Sequence, residues 1–310
     1  MGDAASTKED YLKVCAELEK EPDTGILAVL NSAVDDSFLD PIIEFDLFLH
    51  GNKRNERNEM YRRRLTDEDA SILYKTLRSN TFETVCLQWL VLSYNDIGPA
   101  GGEAIAKGLQ VNETLGKLRL NGNKIKNKGG MAIAGALQVN TMLEELDLGE
   151  TDQEIESIIA MTTVLNLNNT LKSVNLNRPV LFTRQEETTV HVAKMLKVNS
   201  NTPLEVLNLA YNRIEDDGAI ALADALAAYN TNLTTNNIAG DGLCAVAKAM
   251  RSNGALHAVY IWGNKLEEPA CRAFQDLLDG PVPRLDPSNT DVEPYIVDGV
   301  VYLARLSSPF

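Results

Sequence analysis

Apolar residues recur along most of the chain at the first, fourth and sixth positions of a nine-residue phrase. Polar residues separate them and an asparagine closes it. The phrase Leu-x-x-Leu-x-Leu-x-x-Asn stands at Leu87–Asn95, Leu115–Asn123 and Leu204–Asn212. Its opening residues Leu87, Leu115, Leu143 and Leu171 are 28 apart (115−87, 143−115, 171−143). Alternation within the phrase predicts a short strand. A glycine-led helix of small residues follows, as at Gly101–Ala106, Gly129–Ala134 and Gly218–Ala223, closed by Leu109, Leu137 and Leu226. Alanine and glycine there let the helix sit close to the sheet. One such unit cannot bury its apolar face alone, so the period predicts an α/β solenoid of stacked repeats. Parallel strands then line a concave face and helices a convex one, a right-handed horseshoe, because helices are wider than strands are far apart.

The same pattern divides the chain into a helical cap over 1–41, a repeat array over 42–278 and a tail over 279–310. The array holds about eight repeats, one of them truncated. In the cap, Ser6 or Thr7 is expected to start a helix with Tyr11, Leu12, Val14, Cys15 and Leu18 as its apolar stripe, and Ile26–Val34 to form a second. In the tail, β-favouring residues flank Asp298-Gly299 from Tyr295 to Leu303 and predict a hairpin.

Four departures from the period stand out. Gln88–Leu92 lies between a first possible strand start at Phe82 and Ser93-Tyr94-Asn95. Thr151 and Pro179 replace the closing asparagine, whose amide normally satisfies backbone groups between layers; threonine can do part of this and proline none. Leu171 to Leu204 is 33 residues (204−171), which predicts a protruding loop with Phe182. Leu233 to Leu256 is only 23 (256−233), which predicts a vestigial strand over Leu233–Ile238. The last two are read equally as real bulges or as splicing and gene-model differences.

The formal charge of −15 argues against a nucleic-acid groove, which needs a basic field. Cys15, Cys86, Cys244 and Cys271 are too scattered for a disulfide or zinc framework, so reduced thiols and a cytoplasmic setting are expected, with the nucleus open through Arg62-Arg63-Arg64. No signal segment or membrane-length apolar run is present, and the sequons at Asn112, Asn168 and Asn232 are expected to be unused. Met1-Gly2 with Ser6 matches a myristoylation pattern that Asp3 disfavours. His50, His191 and His257 have no ligand or triad partner at suitable spacing, and no phosphate, dinucleotide or nucleophile-elbow motif occurs. Catalysis, metals, cofactors and a small-molecule substrate are therefore not expected.

The phrase, the period and Asp216–Leu226 (Asp-Asp-Gly-Ala-Ile-Ala-Leu-Ala-Asp-Ala-Leu) resemble the ribonuclease-inhibitor subfamily of leucine-rich repeat proteins over roughly residues 42–278. The resemblance implies a non-enzymatic scaffold or adaptor that binds protein partners, with a ciliary axonemal complex as one such assembly. Regulation of a Ran-like GTPase is the alternative. Strand alternation puts Phe48, Trp89, Lys117, Arg119, Glu145, Asp147, Tyr260 and Trp262 on the concave face, and these are the expected partner-binding residues. Lys117 and Arg119 are expected to pair with Glu145 and Asp147 on the next strand, and the main anchor to lie at Tyr260 and Trp262.

Overall fold

Each phrase folds as one short parallel strand, and equivalent leucines fall opposite one another. The computed structural model describes residues 4–37, 44–49, 51, 64–79, 86–180, 189–194, 204–225, 230–253 and 256–306. The chain divides into two units, Met1–Leu171 and Lys172–Phe310. The phrase Leu47–Asn52 is described only in part, and Arg62, Arg63, His50, Phe82 and Phe182 lie outside the described residues.

In the first unit α1 (Ala4–Glu17) and α2 (Thr24–Ser37) precede β1 (Glu44–Phe48), α3 (Asp67–Ser79), β2 (Cys86–Val91) and α4 (Pro99–Leu109). Then follow β3 (Lys117–Arg119), α5 (Lys126–Leu137), β4 (Glu145–Asp147) and α6 (Ile155–Leu165). The strands pair in the order β1-β2-β3-β4, and Leu90, Leu118 and Leu146 align across them. Phe45 faces Leu87 and Asp46 faces Trp89, so Gln88 is a one-residue bulge. The run Gln88–Leu92 is otherwise the strand and its exit, which corrects the sequence reading of it as added length. At the N-terminus α1 begins at Ala4, so Ser6 and Thr7 lie inside the helix rather than capping it. The cap that does form is Asp23, whose Oδ1 accepts from Gly25 and Ile26 at the start of α2. The buried Tyr11 hydroxyl accepts from the Asp23 amide at 2.9 Å and ties α1 to it.

Neighbouring helices approach through glycine. A Cβ on Gly102 of α4 would lie 3.0 Å from the Gly129 Cα of α5 and 2.8 Å from Ile125 Cγ2. These glycines therefore set the distance between layers, where the sequence had suggested helix-to-sheet spacing. Gly102→Val is expected to cost about 3 kcal/mol, the upper range for overpacking; urea unfolding against an exposed control, Lys107→Ala, checks it. The helices also cap one another. Gly98 at the start of α4 donates to Asp67 Oδ1 of α3, and the amide of Glu154 before α6 donates to Asn127 Oδ1 of α5. This explains why the residues at the helix starts are poor caps themselves.

The second unit holds β5 (Ser173–Asn175), a helix over 189–194 (α7), β6 (Val206–Asn208), α8 (Asp216–Ala225), β7 (Asn230–Asn232) and α9 (Gly240–Ser252). After them come β8 (Val259–Tyr260), α10 (Glu268–Leu278), and a ribbon of β9 (Val292–Val297) and β10 (Val300–Arg305). The parallel order is β5-β6-β7-β8. The layer expected to be vestigial is present. Val206, Leu207 and Asn208 pair with Asn230, Thr231 and Asn232, so Leu233 is the third leucine of its phrase, not the first. Thr231 takes the second leucine's place, and Leu233 to Ile261 restores the period of 28 (261−233). The shortening falls before β7. The predicted hairpin also forms, antiparallel, with Asp298 and Gly299 both at positive φ as an Asp-Gly two-residue turn demands.

Two asparagine ladders join the layers. In the first, Asn123 Nδ2 donates to the Leu92 and Leu120 carbonyls at 2.8 and 2.7 Å, and Asn95, Asn236 and Asn264 do the same in their repeats. Thr151 supplies one such bond, from Oγ1 to the Leu148 carbonyl at 2.6 Å, and Gln153 supplements it. The residue before each ladder position turns the chain at positive φ: Tyr94, Gly122, Glu150, Arg178, Tyr211, Thr235 and Gly263. At Gly122 the reason is steric as well, since a Cβ would lie 2.4 Å from the Tyr94 ring of the preceding repeat. The second ladder was not foreseen. Asn140 Nδ2 donates to the Leu109 and Asn112 carbonyls, and Asn168 Nδ2 to those of Leu137 and Asn140. Asn112 and Asn168, both sequon residues, are thus buried structural groups.

Candidate protein-binding site

The residues predicted to bind a partner separate into one cluster in the first unit and one pair in the second. Register places Asp46, Trp89, Lys117 and Glu145 in one row across β1–β4. Phe48, Val91, Arg119 and Asp147 form the next. The Phe48 and Trp89 rings meet edge to face at 5.0 Å between centroids, a geometry worth about 1 kcal/mol beyond burial. Phe48 is 40% exposed.

Two cations border the same indole. Arg119 lies 4.9 Å from the Trp89 ring centroid and Lys117 Nζ 5.5 Å from it. Lys117 also pairs with Glu145 at 2.7 Å, as expected. The expected Arg119–Asp147 pair is not formed: Asp147 Oδ1 accepts the Gly149 amide at 3.0 Å, and Arg119 turns onto the indole instead. An exposed cation–π contact contributes about 0.5–1 kcal/mol. Trp89 Nε1 is buried and has no hydrogen-bond partner among the described residues.

In the second unit, the sequence placed Tyr260 and Trp262 together as the main anchor. Tyr260 is 5% exposed, so its ring is already withdrawn from solvent in the free protein. Burial, and secondarily the nearby Asp291 carboxylate, push its phenol above the ordinary value. Trp262 is half-buried. What sequence reasoning missed is Asp291, with no periodic signal to reveal it. Its buried carboxylate accepts from the backbone amides of Ile261 at 2.8 Å and Trp262 at 3.1 Å. It thereby closes donors of the last parallel strand, the edge that would otherwise be open to pairing.

The described thiols are free, Cys15 and Cys271 buried and Cys244 half-buried, with burial pushing each above its ordinary pKa. Among the described residues no group of three or more His, Cys, Asp or Glu is placed to hold a metal ion. No helix is long and apolar enough to cross a membrane among them.

A family model described as Leucine Rich repeat matches residues 86–106, 111–134 and 200–223. The chain is 36% identical to leucine-rich repeat-containing protein 34 of Mus musculus, over 44% of this chain and 47% of that protein. It is 36% identical to the Homo sapiens protein of the same name, over 44% of this chain and 42% of that one. It thus spans less than half the length of these curated relatives. Among solved structures, Leiomodin-1 Actin-Binding Site 2 is similar with a TM-score of 0.43 and 19% identity, covering 51% of this chain and 86% of that one. The architecture is an α/β leucine-rich-repeat solenoid, and the leucine-rich repeats read from the phrase and its period are borne out.

Proposed function

We propose that the protein is a non-enzymatic interaction module that grips a protein partner on the strand face of its first unit, with Phe48, Trp89 and Arg119 as the centre of the contact. The observation that carries this reading is the arrangement around one indole. An exposed ring packs against it in a T-shaped contact, and a guanidinium covers it without an acidic partner from the same row. Trp, Tyr and Arg are the residues that dominate binding hot spots. The leucine-rich repeats support protein binding as the general role.

The finer reading is an adaptor in a larger assembly such as a ciliary axonemal complex, in the cytoplasm or the axoneme. The resemblance of the repeat type is its support. The alternative, regulation of a Ran-like GTPase, has one observation in its favour: Arg119 is exposed and stacked rather than paired with Asp147. A single-turnover GTPase assay separates the two, because acceleration of about 10³-fold or more would replace the adaptor reading.

The direct test is retention of cellular proteins on immobilised chain, quantified by mass spectrometry. A hot-spot ring cut to alanine typically loses about 2 kcal/mol, roughly 30-fold in affinity. Phe48→Ala should therefore strip the specific partner from the retained set while leaving the melting temperature nearly unchanged, and the exposed control Val282→Ala should strip nothing. An identical retained set for Phe48→Ala would remove this face from the account.

A further inference from the structure

The amide of the third leucine in a phrase donates to the next strand. Leu49 donates to the Val91 carbonyl at 2.8 Å, Leu92 to that of Arg119 at 2.8 Å and Leu120 to that of Asp147 at 2.9 Å. In the second unit Leu176 donates to the Asn208 carbonyl at 3.0 Å and Leu233 to that of Tyr260 at 2.8 Å. The amide that follows the third leucine is served within its own strand. Gly149, Asn177 and Ala210 donate to Oδ1 of the residue two before, Asp147, Asn175 and Asn208, each at 3.0 Å. Both arrangements fail at β8. It is the last strand in the order of the sheet, so no further strand among the described residues offers a carbonyl to Ile261. Tyr260 stands where Asp147, Asn175 and Asn208 stand in their phrases, and its long phenol cannot fold back onto an amide two residues along.

Asp291 makes good both losses. Its Oδ1 accepts from Ile261 at 2.8 Å, the bond a further strand would take. Its Oδ2 accepts from Trp262 at 3.1 Å, the bond the missing aspartate or asparagine would take. One buried carboxylate thus copies both contacts of an absent layer. The ribbon that carries it is anchored, with Val292, Val301 and Leu303 buried on one face. Nor does the ribbon offer a fresh edge in exchange. Leu306 donates to the Asp291 carbonyl at 2.8 Å, so alternate residues from Asp291 turn their backbone groups toward β10, and Val292, Pro294 and Ile296 turn theirs outward. Pro294 therefore leaves the outer edge of β9 without its central donor, a feature that discourages pairing.

We infer that Asp291 is the stop of the repeat array: by standing in for a further layer it holds the β8 edge shut against a parallel strand from another chain. An open edge with unmet amides is a template for such pairing. The device lies wholly in the second unit and is independent of the partner site around Trp89.

Hydrogen exchange of the full chain at two concentrations tests this. At about 1 µM, Asp291→Ala should exchange the Ile261 and Trp262 amides at least ~10-fold faster than the wild type, while the Leu233 amide, bonded to Tyr260, stays protected. At about 200 µM the two amides should regain protection in the variant as copies pair along the opened edge. Sedimentation velocity at that concentration should show association that the wild type and the exposed control Val282→Ala lack. Asp291→Asn keeps an acceptor for Ile261 and should associate less than Asp291→Ala. It carries the same comparison should Leu233 lose protection in the alanine variant. A variant that opens both amides yet stays as monomeric as the wild type would overturn the proposal. So would one that associates without restoring protection at Ile261 and Trp262.

Discussion

Asn236→Ala is expected to lower the stability of the second unit by about 4 kcal/mol, the largest effect of any single substitution considered. The Asn236 amide donates to the carbonyls of Leu209 and Leu233, at 3.1 and 2.9 Å. Its Oδ1 accepts from the amides of Asn212 and Ile214, at 2.8 and 3.1 Å. Truncation leaves three backbone groups unmet in a buried turn, since the Leu233 carbonyl keeps its bond from Asn264 Nδ2 at 2.8 Å; each costs about 1–3 kcal/mol less whatever entering water restores. Hydrogen exchange reads the loss locally: the Asn212 and Ile214 amides should lose protection first. In the unmodified protein, residues 230–236 should be protected as well as 206–212, since β7 is an intact layer. Rapid exchange over 230–236 in that protein would contradict the register assigned to β7.

Asp291→Ala should cost about 3 kcal/mol, because two buried amide donors lose a charged acceptor. The pH dependence has a definite sign. Burial holds the Asp291 carboxyl above its ordinary value, against the lowering by the Ile261 and Trp262 amides and by Arg305. A raised folded-state pKa contributes stability that is complete below the unfolded value and is lost as pH rises through the folded one. The stability gap between wild type and Asp291→Asn should therefore be widest below about pH 4 and narrow as pH rises. A gap that widened with pH would mean that the two amides outweigh burial.

Local rules carried much of this fold. The phrase places its leucines by alternation alone, and Asp298-Gly299 specifies its own turn, so strands, helices and hairpin were legible in the sequence. The β7 layer was not. Thr231 stands where the second leucine belongs, and the shortening before β7 makes Leu233 resemble a phrase start. Only the pairing with Val206–Asn208 restores its position. The binding residues split for a related reason. Alternation says which face a side chain takes, and it placed Phe48, Trp89 and Arg119 on the strand face. It says nothing of what else packs there, so the burial of Tyr260 was not foreseeable. Nor does charge order decide partners: Asp147 faces Arg119 in the register, but Gly149 claims its carboxylate first.

The most direct measurement of the central claim is site-specific photocrosslinking. Phe48 is replaced by a benzophenone amino acid of similar shape, the full chain is irradiated in extract from cells that express it, and adducts are identified by mass spectrometry. One discrete protein adduct is expected from position 48. That adduct should be absent when the same group stands at Lys107 on α4 and lost when Arg119→Glu is added. No adduct at 48, or the same adducts from 48 and 107, would contradict a binding site on this face.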